Sequence, residues 1–195
     1  LQIAFEHDNT LLIEKFIPGR EFRIFIINDE VVGILHRVPA NVTGDGVLNI
    51  GQLIDRKNED PLRGKGYRTP LEKIRKGREE EMFLKQQGMD FNTVPKEGEV
   101  VYLRENSNIS TGGDSIDFTD DIDDSYKAIA VEAAKALNVK ITGLDMMIQD
   151  IHAPATPDNY AIIEMNFNPA IHIHCYPFKG KNRHLNHKMI RALGF

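Results

Sequence analysis

The sequence predicts an α+β protein, a mainly antiparallel sheet flanked by helices, and three observations carry that expectation. Residues 22–27 and 31–38 are apolar runs separated by Asn28-Asp29-Glu30, the composition of a hairpin turn. Ile141–Ile148 and the stretch Ile162-Ile163-Glu164-Met165-Asn166 have strand texture, with single polar residues set among apolar ones. Residues 125–137 instead place Ile129, Ala130, Ala133, Ala134 and Leu137 at helical spacing.

The other elements follow in chain order. Residues 11–17 read as a short apolar strand that ends at Pro18-Gly19. Across 39–99 the texture changes to Gly, Asn, Asp and charge, which reads as an insertion packed on the main sheet. Within it, Thr69-Pro70-Leu71-Glu72 has the form of a helix start, with Thr as cap and Pro at the first helical position. A second short helix is expected over 78–87, stopped by Gly88. Strand character resumes at 100–103. The acidic run 120–124 suits the positive end of the helix that follows, and Asn138 can close that helix in the left-handed conformation. A Pro-containing loop after Asp150, the Glu164 strand and a helix over 184–193 complete the chain.

Composition excludes several roles. A chain of 195 residues with 41% hydrophobic content can bury a core, and no apolar run is long enough to cross a bilayer. A net charge of −5 argues against a nucleic-acid partner, because phosphate neutralisation calls for a basic excess. The single cysteine, Cys175, allows no internal disulfide and fits a reducing cytoplasm. The first residues show neither a basic start nor a cleavage site, so no signal peptide is read there. They also lack an initiator Met and open inside what reads as a helix, so the chain is expected to be cut from a longer one.

Glu164 and Asn166 are two apart and project from one face of a strand, and Asp145 sits in the neighbouring one. Two carboxylates and an amide oxygen make a hard, oxygen-only set of the kind Mg²⁺ takes beside phosphates; the bland reading is the wet face of a sheet. Arg23, Arg37 and Arg104 lie on or at the ends of predicted strands. They are either salt-bridged surface residues or a clamp for a polyanion. Glu14-Lys15-Phe16-Ile17, followed by Gly19 and Glu21, is either a plain strand and turn or an apolar slot with strand backbone for an adenine edge, Glu21 then accepting from ribose hydroxyls. Asn106-Ser107-Asn108-Ile109-Ser110-Thr111-Gly112-Gly113 is either an ordinary loop or one in which Gly112-Gly113, after Ser110-Thr111, lets N–H groups and hydroxyls approach an anion. Neither G-x-x-x-x-G-K-[ST] nor G-x-G-x-x-G occurs. Alternation in His172-Ile173-His174-Cys175 puts both histidines on one face. A closed zinc site needs four ligands and no complementary cluster appears, so a pocket-lining or core role is preferred.

Together these stretches resemble the ATP-grasp superfamily. Within it they resemble the glutathione synthetase part of the bacterial bifunctional glutamate–cysteine ligase/glutathione synthetases, over essentially the whole chain. The strongest pieces are Ile13-Glu14-Lys15-Phe16-Ile17-Pro18-Gly19-Arg20-Glu21-Phe22-Arg23, Arg37-Val38-Pro39-Ala40-Asn41-Val42-Thr43-Gly44-Asp45-Gly46, Tyr102-Leu103-Arg104-Glu105-Asn106-Ser107-Asn108-Ile109-Ser110-Thr111-Gly112-Gly113 and Glu164-Met165-Asn166-Phe167-Asn168-Pro169. Cyanophycin synthetases are similar over the same segments, but Glu-Asn-Ser-Asn and Phe-Asn-Pro favour the glutathione enzyme. A non-catalytic nucleotide-binding module is the alternative from another class.

The resemblance implies that Glu14, Lys15, Phe16 and Ile17 hold adenine and Glu21 the ribose. It implies that Asp145, Glu164 and Asn166 bind two Mg²⁺ ions, with Mn²⁺ as a substitute, that bridge the phosphates of ATP. Arg23, Arg37 and Arg104 would contact the transferred phosphoryl group and the acyl phosphate, with Ser110, Thr111, Gly112 and Gly113 near the peptide carboxylate. The implied partners are ATP, γ-glutamylcysteine and glycine, with no nucleic acid or membrane, and a homodimer of the full-length enzyme. The lysines and Gly-rich loop of the central ATP-grasp lobe do not occur here. The expectation is therefore a C-terminal lobe over 1–195, with 39–99 inserted, that is inactive alone.

Overall fold

The computed structural model describes residues 5–6, 8–13 and 15–195. The helix expected at the start falls mainly on residues outside that set. Residues 11–17 were expected to be a strand, yet the described ones there pair with no strand among the described residues. Leu12, Ile13 and Phe16 are 84%, 75% and 85% exposed, so these apolar side chains are not packed as those of a half-buried strand would be.

The chain then enters an antiparallel sheet. Strands β1 (Arg20–Ile27) and β2 (Glu30–Val38) form the expected hairpin. Its turn is only Asn28-Asp29, both at positive φ (47° and 65°), which matches the right-handed twist of the flanking strands. The short strand β3 (Asn41–Thr43), helix α1 (Ile50–Lys57), two-residue strands β4 (Arg63–Gly64) and β5 (Leu71–Glu72), helix α2 (Arg78–Gln86) and strand β6 (Val100–Tyr102) follow. Strand β7 (Asp114–Asp117), helix α3 (Asp124–Ala136), strands β8 (Ile141–Ile148) and β9 (Tyr160–Asn166), and helices α4 (His172–Cys175) and α5 (Leu185–Ala192) complete it. The main sheet has the order β7-β2-β1-β8-β9, antiparallel throughout.

One face of this sheet is apolar. Phe22, Ile24, Ile34, Leu144, Met146 and Ile148 pack on Tyr126, Ala130 and Ala134 of α3, all fully buried. Asp123 caps α3 by accepting from the Ser125 N–H at 2.9 Å, and Asn138 adopts positive φ beyond its end. The opposite face is divided. At one end Phe25, Ile27 and Val32 pack with Cys175 and Leu185 under α4 and α5. At the other end it carries the charged side chains described below.

Residues 40–103 gather a separate apolar cluster, with Ile50, Ile54, Leu84, Val101 and Leu103 at its centre. Two expectations fail here. The helix start at Thr69-Pro70-Leu71-Glu72 is instead a parallel two-residue pairing, β4 with β5. The Glu72 carboxylate accepts from the Gly66 and Tyr67 N–H groups, and the Leu71 N–H donates across to Leu62, so the groups a capping box would use are engaged elsewhere. Conversely, α1 has a capping box between Asn49 and Gln52 that the composition of this stretch concealed. Helix α2 and Gly88, at φ 73°, are where the sequence puts them.

Strand β9 lies at the sheet's edge. Its Ile162 and Ile163 are 41% and 55% exposed, although their apolar character suggested a buried face. Asp145 pairs with Glu164 but Met146 with Ile162, so Ile163 is a bulge residue beside the candidate site.

Candidate functional site

Paired residues of an antiparallel sheet share a face. The register Arg23↔Asp145↔Glu164 across β1, β8 and β9 therefore lines up a guanidinium and two carboxylates, with Asn166 on the same side opposite Gly143. Gly143 is required there, because a Cβ would stand 3.0 Å from Arg23 Cδ and 2.7 Å from Pro169 Cβ. Arg37 of β2 reaches the same point, so two of the three arginines singled out from the sequence converge on one carboxylate. Asp145, 1% exposed, accepts from Arg23 Nε, from Arg23 Nη2 at 2.8 Å and from Arg37 Nη2 at 2.8 Å. Arg37 also pairs with Glu21, whose carboxylate accepts from the Ser107 hydroxyl. Strands β1, β2 and β8 are thus bound to the Asn106–Asn108 loop by a continuous chain of charges. Such a chain, buried in low dielectric, holds only while every member keeps its partner.

Arg104 stands apart from that pair. It donates through Nε to Glu80 at 2.6 Å and pairs with Glu79, both on α2. A cleft of about 600 Å³ nevertheless includes Arg37, Arg104 and Glu21 in its lining, with Phe83 and Tyr102 supplying apolar wall. His36 also lines it, and burial, helped by Arg20, pushes its pKa down to about 4, so it is neutral at physiological pH. A smaller cleft of about 180 Å³ lies at Arg23 and Arg37, bounded by Tyr67, Ser110 and His172. Partial desolvation at that cleft lowers the pKa of His172 as well, although the residue remains exposed.

Among the described residues the expected adenine slot does not join either cleft. Glu14 lies outside the described residues, and Lys15, Phe16 and Ile17 are not part of either cleft's lining. Of the Ser-Thr-Gly-Gly loop only Ser110 lines a cleft. The Thr111 N–H and hydroxyl turn back on the Asn108 carbonyl, and the Gly112 and Gly113 N–H groups donate to Ile109 and Asn108. The glycines serve close packing: a Cβ on Gly112 would meet Ile74 Cα at 2.8 Å, and one on Gly113 the Val38 carbonyl oxygen at 2.8 Å. Those N–H groups are therefore engaged within the loop and form no anion cradle. The paired strand faces expected of His172 and His174 are also absent, because the segment is one helical turn with His172 exposed and His174 buried.

Among the described residues no group of three His, Cys, Asp or Glu side chains is arranged to hold a metal. The candidate donor set comprises two carboxylates and an amide. Glu164 is exposed and Oε1 accepts from Asn166 Nδ2 at 2.9 Å, so these two are adjacent and accessible. Rotation of the Asn166 amide would present its oxygen instead, an orientation set by hydrogen bonding alone. Asp145 faces its arginines, so the three oxygens are not gathered as the spacing suggested. Their chemistry suits a hard dication, with Glu164 and Asn166 the open part of the set.

Several site residues carried no sequence signal as such. Glu80 read as one acid in a helix's first turn, Ser107 as one residue of the 106–113 loop with no role of its own, Glu72 as part of a helix that does not form, and Tyr67 as a residue ahead of that helix with no role.

No family model matches the chain. It is 65% identical over 192 residues, 98% of its length, to the glutathione biosynthesis bifunctional protein GshAB of Desulfotalea psychrophila, and 58% identical over 193 residues, 99% of its length, to that of Clostridium perfringens. The crystal structure of a bifunctional glutathione synthetase from Pasteurella multocida superposes with a TM-score of 0.83 at 46% identity, over 92% of this chain. Along almost its whole length the chain matches one segment of these bifunctional glutathione synthetases, which are ATP-grasp enzymes. It spans 25% of the length of each of those two GshAB proteins and 24% of the Pasteurella chain. Identity this high along almost the whole chain carries with it the α+β architecture, including the antiparallel sheet and the helices on both its faces.

Proposed function

We propose that this chain is the part of a bifunctional glutathione synthetase, the C-terminal lobe of its ATP-grasp unit, that binds the phosphates of ATP and the acyl phosphate made from them. The observation that carries the reading is the convergence of Arg23 and Arg37 on Asp145, one register step from Glu164, at the junction of two clefts. In the reaction, the cysteinyl carboxylate of γ-glutamylcysteine attacks the terminal phosphorus of ATP and ADP departs. The amine of glycine then attacks the acyl carbon, loses a proton and expels phosphate.

Negative charge accumulates on phosphoryl oxygens in the first step and on the carbonyl oxygen in the second. Arg37 and Arg104 on the larger cleft and Arg23 on the smaller are preoriented donors for that charge. Glu21 and Asp145 hold the Arg23 and Arg37 guanidiniums in register until the phosphates take them over. Glu164 and Asn166, with Asp145, would hold Mg²⁺, which neutralises polyphosphate charge when bound. Ser110 faces the smaller cleft, where the peptide carboxylate is assigned. The segment 39–99 is assigned as an insertion in this lobe. The partners are small molecules, and the compartment is the cytoplasm.

The test is phosphate release by the full natural protein, with ATP and γ-glutamylcysteine and with glycine, aspartate or arginine as acceptor. Glycine-dependent release is expected, and release driven only by aspartate or arginine would sink the assignment. Glu164→Gln should lower Mg²⁺-dependent turnover about 100-fold and leave the melting temperature unchanged, since the side chain is exposed. Near-normal turnover would remove Glu164 from the metal site.

A further inference from the structure

We propose that Glu80 is a positioning residue, a buried carboxylate that aims the Arg104 guanidinium into the larger cleft. This rests on the assignment of Arg104 to phosphoryl chemistry. Glu80 sits in the run Arg78-Glu79-Glu80-Glu81 at the start of α2, where acids ordinarily remain solvated near the helix dipole. Its neighbours do so: the side chains of Glu79 and Glu81 are 70% and 46% exposed. That of Glu80 is 1% exposed. A carboxylate withdrawn from water to that extent is retained only with full compensation.

The two oxygens of Glu80 do different work. Oε2 accepts from the Gly77 N–H at 2.9 Å and fixes the start of the helix. Oε1 accepts from Arg104 Nε at 2.6 Å. A guanidinium is planar, so holding Nε sets its plane, and with Nη1 paired to Glu79 the donor left for the cleft is Nη2. The second partner, Glu79, is too exposed to do this alone, because solvated ion pairs bind weakly. Further along α2, Phe83 lines the cleft, and Gln87 just past the helix end donates to the Tyr102 carbonyl at 3.0 Å. The helix, the end of β6 and Arg104 are therefore one docked unit, with Glu80 at its buried contact.

The experiment is a double-mutant cycle of Glu80→Gln and Arg104→Gln in the full natural protein, with turnover expressed per folded molecule. Glu80→Gln keeps the shape and removes the charge. Its kcat should fall about 10- to 100-fold, as expected when a reacting contact shifts by about 1 Å. The KM for ATP should stay within about threefold, because the lost interaction belongs to the transition state. In the Arg104→Gln background the same change should cost no further turnover and should raise the melting temperature, since it removes a buried charge left without a partner. If Glu80→Gln alone lowers the folded fraction, the double variant decides the matter by equalling Arg104→Gln. A kcat for Glu80→Gln within twofold of the parent, or an equal loss with and without Arg104, overturns the positioning role. Full activity of Arg104→Gln overturns it together with the assignment of Arg104, whereas absence of glycine-dependent ligation in the unaltered protein refutes the ligase reading itself.

Discussion

Replacing His174 with leucine tests whether a buried imidazole makes this fold acid-sensitive. His174 is fully buried, stands edge-on to Phe25 with ring centroids 5.4 Å apart, and neither ring nitrogen has a hydrogen-bond partner among the described residues. Burial pushes its pKa from 6.5 down to about 3; Arg23 and His172 act in the same direction and Asp117 opposes them. The folded protein therefore holds the ring neutral, while the unfolded chain takes up a proton below pH 6.5. Its contribution is fully present above pH 6.5 and is lost progressively as pH falls from 6.5 towards 3. At pH 5 the proton favours the unfolded chain by about 2 kcal/mol. His174→Leu removes that proton site and the two unpartnered nitrogens together, so at pH 7 the variant should be at least as stable as the parent. Urea unfolding of both proteins at pH 7 and pH 5 gives the comparison. The loss of stability between the two pH values should be smaller in the variant by about 2 kcal/mol. His36, lowered to about 4, contributes in the same direction in both proteins and cancels. An equal loss in both proteins would refute the reasoning.

Two further outcomes follow from the same sheet. Asp145→Asn leaves Arg23 and Arg37 without their shared counter-charge in a buried setting, and chemical denaturation should show a loss of about 3–5 kcal/mol; a loss below 1 kcal/mol would mean the guanidiniums find other partners. Gly33→Ala puts a Cβ 2.8 Å from His174 Nδ1 and 3.3 Å from Leu185 Cδ1, so overpacking should cost about 1–3 kcal/mol, read as a lower urea midpoint at unchanged slope.

The sheet and its helices were legible where the pattern was local and repeated. Ile141–Ile148 is a strand over the expected span, α2 and α3 fall within a residue or two, and Asn28-Asp29 turns the hairpin. Where local chemistry had competitors, reading failed. Glu72 had the spacing of a capping-box acid, but two loop N–H groups bound it first. Residues 11–17 had the apolar content of a strand but, among the described residues, no ladder to join. Asp145, Glu164 and Asn166 do share a sheet face as their spacing required, yet two guanidiniums hold the Asp145 carboxylate. Glu80 was unreadable, since nothing in an acidic helix start says which of three glutamates turns inward.

By itself the sequence determined the periodicities, the turns, the apolar core and the inventory of charges, because each depends on residues within a turn or two of one another. Only the tertiary structure decided which charge meets which. Arg23 and Asp145 are 122 positions apart and become partners solely through the β1–β8 register. A one-residue slip of that register would turn Asp145 to the opposite face, among the apolar side chains beneath α3. Partner choice is a property of strand order and depth, quantities that no local pattern encodes.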